Sequence, residues 1–206
     1  MKEMPNRNSV SSSGRTKQPG RPDATLDRLL DGAQATFSER GYHAANIQEI
    51  CARSSVGIGT FYAHFAHKHE LLQKVVVERA PLAARLLSAE DLIDRERLTG
   101  VIRTVVDDAK MSGLWRAWHE AMLEEPEITE FSAVWRNDLI GELAVKVADA
   151  RMLARSNKKH VAPMVVAWSI VTLTRQLGIY DRRGAPDVGD LAQLIEELVL
   201  GSLDVD

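Results

Sequence analysis

A single cysteine, Cys51, stands in 206 residues, so the chain cannot close an internal disulfide. No apolar run reaches the ~20 residues that a bilayer crossing demands. The longest nearly uncharged stretch, Val161 to Thr174, stops at Arg175 and reads as a buried helix. No leader with an apolar core opens the chain, because residues 1 to 22 are polar and rich in Ser, Lys and Arg; a reducing cytoplasm is the expected location. Alternating strand patterns and internal repeats are also missing. Gly57-x-Gly59 follows no strand and lacks a third glycine, so it is not a nucleotide loop. These absences exclude a disulfide scaffold, a membrane-spanning helix, a β-sandwich and a dinucleotide fold. What remains is a 45% hydrophobic chain, long enough to bury a core without metal or disulfide staples.

Charge is unevenly placed. The first 22 residues carry Lys2, Arg7, Arg15, Lys17 and Arg21 against Glu3 alone, a net +4, which leaves −7 on the remainder of a chain totalling −3. A basic arm on an acidic body suits a protein whose tip meets phosphate and whose bulk is repelled by it. A disordered, solubilising tail has the same composition.

Order is expected from Asp23. Leu26, Leu29, Leu30, Ala33 and Phe37 recur at spacings of three and four, predicting an amphipathic helix that Gly41 ends. Asn46, with Glu49 three residues on, starts a short second helix over Ile47 to Arg53, with Ile47, Ile50 and Cys51 on one face. Ser54 to Val56 then turn into a third, Gly57 to Phe65. Two short helices joined by a tight turn and braced by a longer one have the layout of a helix-turn-helix. Later helices are predicted at Lys68 to Leu87, kinked or split by Pro81, then Asp94 to Met111, Gly113 to Glu124, Pro126 to Ser156, Lys158 to Tyr180 and Asp187 to Leu203, with a loop at Asp181 to Pro186.

The segment Gly41 to Leu72 resembles the DNA-binding region of the TetR family of regulators, through Gly41 and Tyr42, Ile50 and Cys51, Val56, Gly59 to Tyr62, His64 with Phe65, and Lys68. The resemblance covers about a quarter of the chain. It implies an all-α fold: a three-helix helix-turn-helix head near the N-terminus, then a larger helical body that binds an effector and dimerises. The domains are then a disordered basic arm at 1–22, a DNA-binding head at 23–68 and a body at 69–206. Its implied partners are a double-stranded DNA operator of pseudo-palindromic sequence, a second copy of the chain and a small-molecule effector. No cofactor and no membrane are implied.

Gly57, Ile58 and Thr60 form a slim leading edge that can enter a major groove, and Gln48 on the preceding helix can contact adenine or phosphate. Family regulators often carry a Ser-Lys pair where Gly57 and Ile58 stand, so readout shifts toward an apolar touch on a thymine methyl. The family's usual Thr is replaced by Ala45. Asn46, Tyr62, His64 and Lys68 are candidates for phosphate contact, and Arg15, Lys17 and Arg21 in the arm extend it. The alternative for Tyr62 is a core aromatic, a place that Phe61 and Phe65 suit better. His64, His67 and His69 match no zinc spacing, so no metal is expected.

In the body, Trp115, Trp118, His119 and Met122 share one helical face, with Trp135, Met164 and Trp168 on later helices. They read either as the lining of an effector pocket or as ordinary core, and Arg175 with Arg116 could meet an anionic ligand. Leu177, Leu191, Leu194, Ile195 and Leu198 predict an apolar face at which a second copy pairs. Two other functions share these residues: an all-helical enzyme using His119 with Glu120, Glu124 or Glu125 as acid-base groups, and a helical adaptor that has lost DNA binding. No nucleophile motif or cofactor loop supports the enzyme.

Overall fold

The computed structural model describes residues 24–79, 83–111, 113–155, 162–177 and 188–203. Among them all regular structure is helical, beginning with α1 (Ala24–Ala44), α2 (Ile47–Arg53), α3 (Ile58–His64) and α4 (Lys68–Arg79). The stripe read from the sequence is the buried face of α1: Leu29, Leu30, Ala33 and Phe37 are fully enclosed. Gly41 breaks that helix with φ 79°, a left-handed step open mainly to glycine, and redirects Tyr42 and His43. Asn46 caps α2, its Oδ1 accepting the Glu49 N–H at 2.8 Å, while the Glu49 carboxylate turns to Arg40 at 3.1 Å. Ser54 ends α2 and donates to the Ile50 carbonyl, and Ser55, at φ 53°, makes the turn into α3.

Leu71, Leu72, Val75 and Val76 of α4 are fully buried and join Leu29, Leu30 and Phe37 in the core. These α4 side chains pack with those of α1. The helix expected to run to Leu87 ends at Arg79, and a separate short α5 (Ala83–Leu86) follows. Pro81 lies between them, outside the described residues.

The body comprises α5, α6 (Ala89–Ile93), α7 (Arg95–Met111), α8 (Leu114–Glu124), α9 (Pro126–Leu153), α10 (Pro163–Leu177) and α11 (Val188–Leu203). Helix α6 was not anticipated. Ser88 and Asp91 close a reciprocal capping box, each accepting the other's backbone N–H at 3.1 and 3.0 Å, and Leu92 plugs the core. Pro126 opens α9 at its first turn, as its fixed φ favours. Glu196 of α11 meets Arg95 and accepts from Thr99 Oγ1 at 2.7 Å, tying α11 to α7. One apolar cluster runs through head and body, from Leu29 to Leu203. Among the described residues no helix is long and apolar enough to cross a membrane. The loop expected at Asp181 to Pro186 lies outside them.

Candidate nucleic-acid interface

Helix α3 is amphipathic over only seven residues, and aromatic burial fixes which way it faces. Phe61 is fully buried and Phe65 nearly so, their ring centroids 5.9 Å apart. That anchors the inner side and turns Ile58, Gly59, Tyr62 and His64 outward, with Tyr62 58% exposed and Ile58 47%. Thr60 is half-buried beside this edge. Gly57 caps α3 without a side chain, its carbonyl accepting the Thr60 N–H at 2.9 Å. A Cβ placed on Gly59 would meet nothing within 4 Å, and one on Gly57 would reach only Thr60 Oγ1 at 4.0 Å. Gln48 and Asn46 are exposed on and before α2. Asn46, Gln48, Gly57, Ile58, Tyr62 and His64 are thus exposed, whereas Arg15, Lys17 and Arg21 lie outside the described residues.

Lys68 departs from expectation. Its Nζ donates to the carbonyls of Tyr42 at 2.6 Å and Ala45 at 3.0 Å, and lies 4.0 Å from the centre of the Tyr42 ring. Burial weakens its hold on its proton, against the pull of Glu124, Glu125 and Glu120. The ammonium is spent on the turn between α1 and α2. This corrects the reading of its side chain as a phosphate clamp.

The same turn is gripped from the body. Glu120 Oε2 accepts the Tyr42 N–H at 2.6 Å, and Glu125 Oε1 accepts the Tyr42 hydroxyl at 2.6 Å. Glu124 pairs with His43 Nδ1 at 2.6 Å, and Glu125 lies 3.6 Å from His69 Nδ1. Burial, and then the Glu125 carboxylate, raise the Tyr42 phenol above its ordinary range, so it stays a donor. At the other end of α8, Gly113 is so close to α1 that a Cβ there would fall 1.9 Å from the Ser38 carbonyl oxygen. Sequence reading had placed Glu120, Glu124 and Glu125 only beside His119 in the enzyme alternative. Glu120 and Glu125 instead hold residues 78 and 83 positions away, a pairing that no local spacing signals.

The body's aromatic residues divide. Trp118 is fully enclosed and lies edge-on to Phe131 and Trp135 at 6.2 and 6.1 Å between centroids, and Trp115 is 5% exposed. Met122 and His119 are half-buried on the same helix. Neither the Trp118 nor the Trp135 indole N–H has a hydrogen-bond partner. Met164 and Trp168 do not join them: they are 53% and 55% exposed on α10, which corrects their assignment to a common pocket. Val165 is likewise 52% exposed on α10 and Leu194 46% on α11, while Leu198 is half-buried. Ile195 is 1% exposed and belongs to the core of this chain, a correction to its place in a partner-facing stripe. The side chains of Arg175, Leu177 and Leu191 lie outside the described residues. Among the described residues no three His, Cys, Asp or Glu side chains converge to hold a metal. Cys51 is buried, and burial raises its thiol above the usual range.

The head is thus a helix-turn-helix with an open, small-residue leading edge, mounted on an all-helical body. Residues 29–75 match the family described as bacterial regulatory proteins, tetR family. It is 37% identical over 54 residues to the transcriptional regulator UidR of Escherichia coli K12, a match spanning 26% of this chain and only 28% of UidR. The repressor KstR of Rhodococcus jostii is 25% identical over 180 residues, covering 84% of this chain and 82% of its own length. Among solved structures, GusR of Salmonella enterica superposes with a TM-score of 0.68 at 20% identity, over 90% of this chain and 98% of GusR.

Proposed function

We propose that this protein is a homodimeric repressor that binds a pseudo-palindromic operator through two heads and responds to a small apolar effector in its body. One observation carries the DNA-binding half: Phe61 and Phe65 bury one side of α3 and leave Gly57, Ile58, Gly59 and Tyr62 facing outward with Thr60 half-buried beside them, as groove entry requires. Ile58 and Thr60 are the base-edge contacts, with Gln48 beside them. Tyr62, Asn46 and His64 contact phosphate, and Arg15, Lys17 and Arg21 in the 1–22 arm add cationic contacts. The helices from α5 onward form the effector and dimer module, and the protein works in the cytoplasm. The effector site centres on Trp118, Phe131, Trp135 and Met122. Met164, Val165, Trp168 and Leu194 supply the partner-facing surface, an apolar patch that supports pairing of α10 and α11 with the same helices of a second copy. KstR is described as a repressor, and the likeness to it over most of the chain supports the same sign here. The His119 enzyme loses support because Glu120, Glu124 and Glu125 are engaged with the head.

The test is selection of a duplex from a random pool by the purified protein, followed by titration at several salt concentrations. Selective binding that falls steeply with salt is expected, since each neutralised phosphate releases counterions. Tyr62→Phe should weaken binding about three- to tenfold on every sequence alike, and Thr60→Ala should relax preference at one base step. A pool that stays random at low salt would sink the regulator reading.

A further inference from the structure

Four side chains between α8 and α9 form a cluster whose polarity is turned the wrong way. Trp118 is fully enclosed, and Phe131, Trp135 and Met122 are half-buried around it. Phe131 and Trp135, one turn apart on α9, hold their rings 20° from parallel with centroids 6.2 Å apart, and Trp118 stands edge-on to both. The cluster is an apolar wall except for two indole N–H groups, on Trp118 and Trp135, and among the described residues neither has an acceptor. A buried indole N–H normally has one, because a bare donor forfeits the bond it made with water. Trp135 makes the point most sharply. Part of its ring still meets solvent, yet its Nε1 is enclosed, so the polar edge is turned in and the apolar edge out. A half-buried indole ordinarily does the reverse and gives its N–H to water. Two bare donors in one aromatic cluster point to an acceptor that arrives from outside the chain.

The charges nearby say which kind of acceptor. Trp118, Phe131, Trp135 and Met122 carry none. Arg116, the one arginine of α8, is engaged elsewhere: it lies 3.7 Å from Glu120 and donates to the Ser38 and Glu39 carbonyls at 3.4 Å. Glu120, Glu124 and Glu125 place negative charge along and just beyond the same helix. A carboxylate brought to the indoles would be buried near like charge without a counter-ion, whereas a carbonyl oxygen has two lone pairs to offer and no charge to desolvate. We propose that Trp118 and Trp135 present their N–H groups to the oxygen of an uncharged effector, a ring-bearing ketone, ester or lactone, whose apolar part lies against Phe131 and Met122. The proposal rests on the effector reading above and narrows it from apolar molecules in general to those with a neutral acceptor. Trp118 sits deepest, so the oxygen enters first and the ring fills the side where Phe131, Trp135 and Met122 are still exposed.

The experiment titrates the full-length protein, labelled with nitrogen-15 tryptophan, with three probes of nearly one shape: acetophenone, isopropylbenzene and benzoate. The indole N–H signals are followed by NMR and assigned through single Trp→Phe variants. Acetophenone should bind about tenfold or more tighter than isopropylbenzene, the gain of one to two hydrogen bonds to donors otherwise bare, and should move the Trp118 and Trp135 signals downfield while leaving that of Trp168 in place. Benzoate should bind about tenfold or more weaker than acetophenone. Trp135→Phe keeps a ring and removes one N–H, and should shrink the advantage of the ketone over the hydrocarbon to about two- to threefold. Trp118→Phe should do the same; if that enclosed position does not tolerate the change, Trp135→Phe and the wild-type signals decide. Equal affinity for ketone and hydrocarbon overturns the proposal and leaves an apolar effector site standing. So does ketone binding that moves neither indole signal, and tighter binding of benzoate overturns the uncharged class. If no probe binds, the effector reading falls together with the proposal, while the DNA-binding reading keeps its own test in duplex selection.

Discussion

Glycines show best what single residues are for. Gly32 is demanded by the protein itself: a Cβ there would fall 2.1 Å from Ser54 Oγ, where the end of α2 crosses α1. Gly59 has no such reason, since its added Cβ meets open space within a regular helix. A helical glycine costs up to about 1 kcal/mol relative to alanine, and nothing within the chain asks for one at Gly59; under the proposed function its smallness serves the approach of DNA. Gly59→Ala is therefore expected to raise the melting temperature slightly and weaken operator binding at least tenfold. Gly32→Ala should lose about 1–3 kcal/mol of stability from overpacking, with affinity per folded molecule unchanged. Thermal melts beside operator titrations decide it, and a Gly59→Ala protein that binds as wild type would remove α3 from the DNA surface. The small leading edge was legible in the sequence, as were the Asn46 cap and the inward Phe61 and Phe65, because each follows from residue type and local spacing. The fate of Lys68 was not, because its acceptors are the carbonyls of Tyr42 and Ala45, 26 and 23 residues back, oriented by the Gly41 turn.

Between elements, the polar seam between the turn that follows α1 and the C-terminal end of α8 leaves a signature in alkali. Burial and the Glu125 hydrogen bond raise the Tyr42 phenol, so the unfolded chain ionises first, near the ordinary tyrosine value of about 10. The stability that this hydroxyl contributes is full below that pH and fades as pH rises beyond it. Lys68 works in the opposite sense. Its folded ammonium gives up its proton more readily than the unfolded one, so its contribution grows with pH up to the ordinary lysine value of about 10.4. Denaturant unfolding from pH 8 to 11 should show wild type losing stability above pH 10 and Tyr42→Phe losing distinctly less over the same interval. Parallel curves would mean that the Tyr42–Glu125 bond contributes nothing to holding head on body. Sequence periodicity located α8 and its Trp115–Trp118–Met122 face. It could not show that the opposite carboxylates serve the head, since pairing across 77 to 83 residues is a property of the fold. Helix α6 lay within reach: Ser88-x-x-Asp91 is a capping signature, obscured because five residues carry too little periodicity to announce a helix.

At the scale of the whole molecule, the surface left over by folding argues for a second copy. Periodicity marked α10 as apolar around most of its circumference, which fits a buried pocket wall as well as a partner contact. Only the burial pattern separates the two: Val166, Ala167 and Ile170 face the chain's own core, and Met164, Val165 and Trp168 face away from it. Covering a tryptophan that is 55% exposed, together with Met164 and Leu194, would remove enough apolar area to contribute several kcal/mol to association. Trp168→Glu places a charge in that face without touching the core or the head. The expected result in size-exclusion chromatography with light scattering is a shift from twice the 22.9 kDa chain mass to a single chain, with the melt of the folded monomer still cooperative. Operator affinity should then fall by about two to four orders of magnitude, because the second head no longer binds at the high effective concentration that the first provides, while half-site affinity is retained. A Trp168→Glu protein that keeps the dimer mass and full operator affinity would show that the heads are paired through another face, and the apolar patch on α10 and α11 would need a different occupant.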